Sequence, residues 1–241
     1  MQKLLSFLII SLSFISVASA QKYLNDKNAQ IRKVETFHGI EVSGGIDLYL
    51  DQSNSTAVAV SASDDEDRDM IKTVVENGIL KIYFKKPDSW LSVSWGNKQL
   101  KAYVSVKQID ILMASGGSDI LINEGLNCEN LSLSLSGGSD CKGRVQAQEL
   151  RIQASGGSDA ILEGQVNQLK VQASGGSDVK GYGLVSNIAN LSASGGSDIH
   201  VSVQKELTAD ASGGSNIYYK GEPVKRQVSS SGSSDIKRSN K

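Results

Sequence analysis

The pentapeptide Ser115-Gly116-Gly117-Ser118-Asp119 recurs through the second half of the chain and decides its predicted fold. Identical copies begin at Ser136, Ser155, Ser174 and Ser194, and the variants Ser-Gly-Gly-Ser-Asn and Ser-Gly-Ser-Ser-Asp begin at Ser212 and Ser231. Successive copies are 21, 19, 19, 20, 18 and 19 residues apart. A nearly constant period of this length indicates stacked structural repeats.

The residues around each pentapeptide alternate between apolar and polar. Before the copy at Ser155 the apolar positions are Leu150, Ile152 and Ala154. After the copy at Ser194 the next apolar residue is Ile199. A period of two is typical of half-buried strands, and one repeat is too short for a strand–helix–strand crossover. We therefore predict an all-β fold, a parallel β-solenoid (single-stranded β-helix) with coils of about 19–20 residues. Each coil is expected to contain two short strands around the glycine corner and a polar return with its own turn.

The N-terminal residues 1–20 have the pattern of a secretory signal peptide. Lys3 precedes an apolar run from Leu4 to Val17, and the small residues Ala18-Ser19-Ala20 form a cleavage site. We expect an exported protein that is periplasmic, associated with the cell surface or secreted.

The remaining residues 21–241 are expected to form a single β-solenoid domain. It would consist of irregular N-terminal coils with an insertion at about 31–105, regular coils at about 106–236 and a basic tail at 237–241. The 25 basic and 26 acidic residues nearly cancel, so the charge predicts no nucleic-acid partner. No second apolar stretch is long enough for a transmembrane segment.

The irregular segment begins with an early relative of the corner, Ser43-Gly44-Gly45-Ile46-Asp47. Strands are expected at Ala57–Ser61, Ile79–Phe84 and Leu100–Val106. Between the first two, Ile71, Val74 and Val75 have helical spacing, and Gly78 would end a short helix.

Two features of this segment have alternative interpretations. The cluster at residues 64–69, which is acidic except for Arg68, suits the start of a helix or a cation site. Trp90 and Trp95 could cap an open end of the solenoid or stack on a sugar ring.

The corner aspartates occupy one phase of the repeat and should align in a row. Carboxylates on neighbouring coils, about 4.8 Å apart, repel each other by ~1 kcal/mol in water. They could point outward, accept backbone N–H bonds or share cations such as Ca²⁺. The predicted cation ladder consists of Asp119, Asp140, Asp159, Asp178 and Asp198.

Polar residues before the corner form a second aligned set. Successive coils place Arg151, Gln153, Lys170 and Gln172 on one outward sheet face, where rows of hydrogen-bonding groups suit a glycan or a protein surface. The same rows are also compatible with an ordinary solvated exterior.

The cysteines and histidines carry little chemical signal. Cys128 and Cys141 could form a disulfide in an exported protein, but they lie at different phases of a coil, which favours a buried thiol at Cys141. Of the two histidines, His38 and His200, the second is expected to face solvent. The pattern identifies no catalytic and no cofactor-binding residue.

Three stretches together resemble a known family. They are the segment Phe37-His38-Gly39-Ile40-Glu41-Val42 leading into Gly45-Ile46-Asp47-Leu48, the strand Asn77-Gly78-Ile79-Leu80-Lys81-Ile82, and the repeated corners. They are similar to the exported bacterial family described as "putative auto-transporter adhesin, head GIN domain". The resemblance covers nearly the whole chain after residue 20 and implies a β-helical domain with an adhesin role. It supplies no catalytic residues.

The sequence thus leads to two functional hypotheses. The first is an exported, non-enzymatic, adhesin-like module that binds a surface glycan or protein, with no cofactor except possible Ca²⁺. The alternative is a carbohydrate-active enzyme, a polysaccharide lyase or hydrolase, because such enzymes also use parallel β-helices.

Overall fold

The alternating sequence folds as predicted into a parallel β-solenoid of about 7 turns. The computed structural model describes residues 26–85 and 98–239. The predicted signal peptide, Trp90 and Trp95 lie outside the described residues.

The first part of the chain contains short strands and one short helix. Its elements, in chain order, are β1 (Gln30–Ile31), β2 (Gly39–Ser43), β3 (Asp47–Gln52), β4 (Ala57–Ser61), α1 (Asp65–Met70), β5 (Ile71–Glu76), β6 (Ile79–Phe84), β7 (Lys101–Val106), β8 (Ile111–Ser115) and β9 (Ile120–Ile122).

The regular coils contain longer strands than the sequence suggested. They are β10 (Leu126–Ser136), β11 (Cys141–Ala154), β12 (Asp159–Ala173), β13 (Asp178–Ala193), β14 (Asp198–Ala211), β15 (Asn216–Lys220), β16 (Lys225–Ser230) and β17 (Asp235–Arg238). From β11 to β14 each strand runs from one corner to the next, because the chain bends at glycines such as Gly164 (φ 124°) while parallel pairing continues on both sides. The separate polar return with its own turn was therefore a wrong expectation for these coils. Residues 237 and 238, expected to begin a basic tail, extend β17.

The first coil in the sequence is not the first in the stack. Strand β2 lies between β6 and β8, and β3 lies between β7 and β9, all in parallel. The coil made by β6 and β7 therefore stacks on the outer side of the β2–β3 coil. Ser43 pairs with Ser115, which confirms that Ser43–Asp47 is an early copy of the corner.

Antiparallel strands cover this end of the solenoid. Strand β4 pairs with β7 and with β1, and β5 pairs with β6. The prediction that Ile71, Val74 and Val75 belong to a helix ended by Gly78 is wrong: Ile71–Glu76 is strand β5, and Asn77 and Gly78 (φ 52° and 76°) form the tight turn of a hairpin into β6. The acidic residues start a helix as one interpretation expected, with Asp64 capping α1 by accepting the Asp67 N–H at 2.8 Å.

Each corner requires left-handed backbone, and two versions of it occur. In the copies that begin at Ser43, Ser115, Ser136, Ser155 and Ser174, both glycines have φ between 64° and 91°. From Ser194 onward only the first glycine does, for example Gly195 at 73°. The second position no longer needs glycine there, which explains why Ser233 can occupy it in the last copy.

A buried serine fixes each corner to its neighbour. Ser118, Ser139, Ser158 and Ser177 are fully buried, and the hydroxyl of each of the last three accepts the N–H of the preceding serine at 3.1–3.2 Å. After the change of corner geometry, the Ser197 hydroxyl instead accepts the Ser194 N–H at 3.2 Å and lies 3.0 Å from the Ala173 carbonyl oxygen of the preceding coil. Both arrangements satisfy backbone groups that the tight turn would otherwise leave unpaired.

The two corner geometries predict opposite effects of the same substitution. Gly157→Ala should destabilise the protein by about 1–2 kcal/mol, because φ is +80° there. Gly196→Ala should be neutral or stabilise it by up to about 1 kcal/mol, because that glycine lies outside the left-handed region. A Cβ at either position meets no atom within 4 Å, so sterics do not confound the pair. Urea unfolding measures both; equal losses of stability would contradict the two-geometry description.

Candidate functional site

The corner aspartates stack in register along one edge of the coils. Oδ1 of Asp119 accepts the Asp140 N–H at 3.0 Å, Oδ1 of Asp140 accepts the Asp159 N–H at 3.0 Å, and Oδ1 of Asp159 accepts the Asp178 N–H at 3.3 Å. Of the three arrangements that the sequence allowed, these carboxylates adopt the one in which they accept backbone N–H bonds. A hydrogen bond to the charged form of a carboxylate offsets part of the repulsion between neighbours.

The end of this row explains the Ser-Gly-Gly-Ser-Asn variant. Oδ1 of Asp198 accepts both the backbone N–H of Asn216, at 3.1 Å, and its side-chain amide, at 2.9 Å. The asparagine keeps the geometry of the row and removes one negative charge from it.

A lysine neutralises the middle of the row. Nζ of Lys180 lies 2.6 Å from Oδ2 of Asp159 and 3.4 Å from Oδ2 of Asp178. Its hydrogen bond to Asp159 is the main cause of a raised pKa for the lysine. Two of the five aspartates therefore share a cation that belongs to the chain.

Asp47 occupies the same row but lacks this support. It lies beside Asp119, since Leu48 pairs with Ile120, and its carboxylate makes no hydrogen bond with a described residue. Burial, followed by the charge of Asp119, raises its pKa, while Lys101 opposes the shift.

No group of three or more His, Cys, Asp or Glu side chains within residues 26–85 and 98–239 has the geometry of a metal site. The shared-cation ladder of Asp119, Asp140, Asp159, Asp178 and Asp198 stays a prediction, with Ca²⁺ as the ion that its oxygen ligands would suit.

The predicted binding residues lie together on a flat sheet face. Arg151 pairs with Lys170, and Gln153 with Gln172, across the parallel ladder of β11 and β12, and all four side chains are exposed. Gln153 donates to Gln172 at 3.1 Å between Nε2 and Oε1, and Arg151 contacts Glu149 at 2.7 Å. We use the name ladder face for the outward side chains on the segments of β10–β14 that precede the corners. These four residues belong to it.

A bulge in β13 interrupts the solenoid on another side. Gly181 and Val185 pair with the adjacent residues Val201 and Ser202 of β14, so residues 182–184 have no partner in that strand. The sequence carries a signal for this bulge: the repeat spacing lengthens to 20 residues after Ser174 and shortens to 18 after Ser194.

The bulge brings aromatic rings together. The Tyr182 ring meets the His200 ring edge-on at 5.1 Å between centroids, and His200 stacks on Tyr218 at 5.0 Å. Lys220 Nζ lies 4.5 Å from the centroid of the Tyr182 ring. The His200 side chain lies on the outer surface, as expected, but the two tyrosines leave it only partly exposed, and its Nδ1 is buried without a hydrogen-bond partner among the described residues.

An open groove of about 600 Å³ lies beside the bulge. Its floor is formed by outward residues at one repeat position, two after the corner aspartate, and Tyr182 contributes to its lining. The floor residues on four successive coils are Lys142, Ile161, Lys180 and His200. Gly143, Leu162, Glu163 and Gly183 complete the lining. We call it the bulge groove.

The cysteines are unpaired, as the buried-thiol interpretation of Cys141 favoured. Cys141 is fully buried, and burial raises the pKa of its thiol to about 12. Cys128 is half-buried, and burial, followed by the charge of Asp110, raises its pKa as well. His38 lies in the same shallow depression as Cys128, but its Nδ1 contacts Asp110 at 2.7 Å. Its Nε2 is packed against Gly78, where an added Cβ would lie only 2.8 Å away. Neither thiol is therefore activated as a nucleophile.

The unsupported carboxylate predicts a pH-dependent stability difference. A raised pKa in the folded state means that the contribution of Asp47 to stability falls as the pH rises through that pKa. Asp47→Asn should therefore melt at a higher temperature than the wild type at pH 7, and the difference should vanish as the solution is acidified. Asp140→Asn is the matched control, because its Oδ1 acceptor remains. A stabilisation of Asp47→Asn that persists at low pH would contradict this assignment.

Calcium titration tests the ladder itself. Because backbone N–H groups and Lys180 already engage these carboxylates, we expect the melting temperature to be the same with millimolar Ca²⁺ and with a chelator. Calorimetry with the isolated protein makes this comparison. A rise in melting temperature with Ca²⁺ that Asp159→Asn abolishes would instead establish the cation ladder.

Solved structures similar to this chain share its fold. A "putative adhesin" from Bacteroides fragilis is 23% identical, with a TM-score of 0.77, and the match covers 88% of this chain and 96% of that one. A "putative lipid binding protein" from Parabacteroides distasonis is 22% identical, with a TM-score of 0.67 and coverage of 89% and 98%. A "putative adhesin" from Parabacteroides merdae is 15% identical, with a TM-score of 0.66 and coverage of 88% and 95%. At these identities the likeness establishes the solenoid fold alone.

No curated protein sequence matches the chain significantly. None of the helices in the described ranges has the length and apolar character needed to span a membrane. One family profile matches residues 36–223, from before the first corner to the end of β15 and just beyond. The chain belongs to that family, which is described as "putative auto-transporter adhesin, head GIN domain".

Proposed function

We propose that the protein is an exported, non-catalytic, adhesin-like module that binds a surface glycan or another surface protein through the ladder face. Membership of a family described as adhesins supports the general role. The signal-like pattern at residues 1–20 supports export.

The regularity of the ladder face is the observation that carries this proposal. From β10 to β14 and on to β16, the strands that precede the corner pair residue by residue without a shift. The register shifts between β12, β13 and β14 fall in other parts of the coil, between Ile161 and Gly164 and between Gly181 and Ile188. This face therefore repeats the same outward positions at intervals of about 4.8 Å, which suits a partner that is itself repetitive or flat.

The side chains of the ladder face can form hydrogen bonds with a partner. Gln153 and Gln172 are linked to each other, and each retains further amide donor or acceptor capacity. Lys170 makes no ion pair with a described residue, so its charge is available. Many weak contacts of this kind give useful affinity only when several are made together.

The contacts of the acidic residues favour binding over catalysis. Glycoside hydrolases need two carboxyl groups, about 5–9.5 Å apart, on either side of the scissile bond. Among the described residues that line the bulge groove, Glu163 is the one with a carboxylate. Its Oε1 lies 2.9 Å from Nη2 of Arg144. Nearby Asp159 and Asp178 are engaged by Lys180. This arrangement does not favour the enzyme alternative.

Replacement of the four ladder-face residues tests the proposal. The variant with Arg151, Gln153, Lys170 and Gln172 all changed to Ser should fold normally, because these side chains are exposed, and should lose most attachment to host or bacterial surface material. Purified protein is applied to immobilised cell-surface extract and bound protein is quantified. The control variant replaces Gln146, Gln165 and Lys205, which are exposed elsewhere on the coils, with Ser.

Two results would count against the proposal. Attachment that is unchanged in the four-residue variant would remove the ladder face as the contact site. Release of reducing sugar or unsaturated product from a polysaccharide by the wild-type protein would overturn the non-catalytic assignment.

A further inference from the structure

From the bulge groove and the coils beside it we propose a second binding site, which takes a neutral oligosaccharide, a short stretch of an extended chain of β-linked pyranose rings. This inference rests on the proposed function in one respect, that the protein binds glycans without cleaving them. The ladder face precedes the corner and the groove follows it, so the two sites lie on different sides of the coil and can be tested separately.

The floor of the bulge groove belongs to a longer column of outward side chains. The position two residues after the corner aspartate pairs from coil to coil, beyond the groove as well as within it. We call these residues the side column. In stacking order they are Tyr103, Tyr49, Leu121, Lys142, Ile161, Lys180, His200 and Tyr218.

Aromatic rings are concentrated on this side of the coils. Of the six tyrosines within residues 26–85 and 98–239, three stand in the side column and Tyr182 stands in the bulge next to it. Tyr49 stacks on Tyr103 at 5.3 Å between ring centroids, and His200 stacks on Tyr218 at 5.0 Å. All these rings are only partly buried. Outward rings of this kind are suited to pack against the apolar C–H faces of sugar rings.

The groove combines apolar and polar surface in the proportions that a sugar ring offers. Ile161 is 40% exposed and lies between Lys142 and Lys180 in the column. The Tyr182 ring is fixed by an edge contact with His200 at 5.1 Å, so little side-chain freedom is lost when a ligand packs against it. A pyranose presents C–H groups on its faces and hydroxyls at its rim, and it can therefore contact both kinds of side chain at once.

The charges around the groove favour a ligand without net charge. The corner aspartates lie two residues before the floor residues, and Lys180 alone stands between Asp159 and Asp178. An anionic ligand would be repelled by that row, whereas a cationic ligand would face Lys142 and Lys180 on the floor. A neutral hydroxyl can donate to a carboxylate and accept from an ammonium group, so it uses charges of both signs.

Other extended ligands fit this site less well. A peptide that adds to a sheet needs unpaired backbone groups at a strand edge. Each of β11 to β14 pairs with a strand on both sides, so the described part of these coils offers no such edge here. An acyl chain needs a pocket that buries most of its surface, and the bulge groove is open.

The length of the groove suits about four rings. A neighbouring depression of about 430 Å³ shares Lys142, Gly143 and Glu163 with the groove and extends it to Leu121. From Leu121 to His200 the side column spans four intervals of about 4.8 Å, or about 19 Å. An extended chain of β-1,4-linked rings advances by roughly one coil spacing per ring. A tetrasaccharide laid along the solenoid axis would thus place successive rings over successive coils.

Calorimetric titration with defined oligosaccharides tests the inference. The neutral β-1,4-linked probes are cellotetraose and mannotetraose, and they are compared with trigalacturonate, which is acidic, and with maltotetraose, whose α-linkages give a curved chain. We expect a neutral β-linked probe to bind most tightly. Its affinity should change by less than about twofold as salt is raised, because no net charge is recognised.

Two variants locate the binding in the groove. Tyr182→Ala removes the ring and should weaken the neutral probe about tenfold. Ile161→Glu replaces apolar surface on the floor with a charge and should weaken it by a similar factor, about tenfold. Tyr182→Phe keeps the ring and should retain binding, which separates loss of the contact from any loss of stability in Tyr182→Ala.

Matched substitutions elsewhere control for damage to the fold. Val74 is as exposed as Ile161, at 40%, and Tyr83 is an exposed tyrosine at 38%. Both lie outside the groove, so Val74→Glu and Tyr83→Ala should leave the affinity unchanged. Melting temperatures are measured for every variant, and the outward side chain of Ile161 predicts that Ile161→Glu still folds.

Three results would overturn the inference. They are the absence of binding by both neutral β-linked probes, binding that neither Tyr182→Ala nor Ile161→Glu weakens, and tighter binding of trigalacturonate than of either neutral probe. The proposed function would survive each of them if the four-residue ladder-face variant still loses attachment to surface material. Conversely, groove binding with unaltered attachment of the ladder-face variant would leave the inference standing and remove the ladder face.

Discussion

The buried serine hydroxyl at each corner is the interaction on which the solenoid depends. A chain that turns through two glycines leaves backbone N–H groups pointing into a space that water does not enter, and only a small polar side chain can reach them there. Ser139, Ser158 and Ser177 do this by accepting an N–H from the preceding coil, so each hydroxyl also fixes the register between coils. When the corner changes at Ser194, the hydroxyl turns to its own coil and the second glycine becomes dispensable.

The same stacking brings the corner carboxylates close together, and other groups of the chain offset their repulsion. Backbone amides hold one oxygen of the corner carboxylates from Asp119 to Asp159, Lys180 bridges two of them, and Asn216 replaces a carboxylate near the end of the row. These devices are missing at Asp47, where burial and the charge of Asp119 raise the pKa. The chain's own groups thus offset part of the repulsion along the row. A separate feature of the coils is a local departure from the repeat.

That departure is the bulge at residues 182–184. Uniform coils produce a flat face with many equivalent positions, which suits weak, multiple contacts. The bulge adds a concave groove with the Tyr182 ring in its lining, a shape that suits one defined ligand. The coils thus present a flat, repetitive ladder face on one side and a concave groove on another. This division follows from one local change in strand length on an otherwise regular scaffold.

The sequence by itself determined the solenoid, the early corner at Ser43, the alignment of the aspartates and the position of Cys141 in the core, because each follows from local period and phase. It wrongly assigned Ile71, Val74 and Val75 to a helix, because their helical spacing is outweighed by antiparallel pairing with β6 through the Asn77-Gly78 turn. Only the tertiary structure decided which groups hydrogen-bond to the corner aspartates and that the β6–β7 coil stacks outside the first one. It also decided that Tyr182, His200 and Ile161 share a groove. These features depend on the register between coils. A register shift of one or three residues is set by packing against the neighbouring coils, which the sequence of a single repeat does not contain.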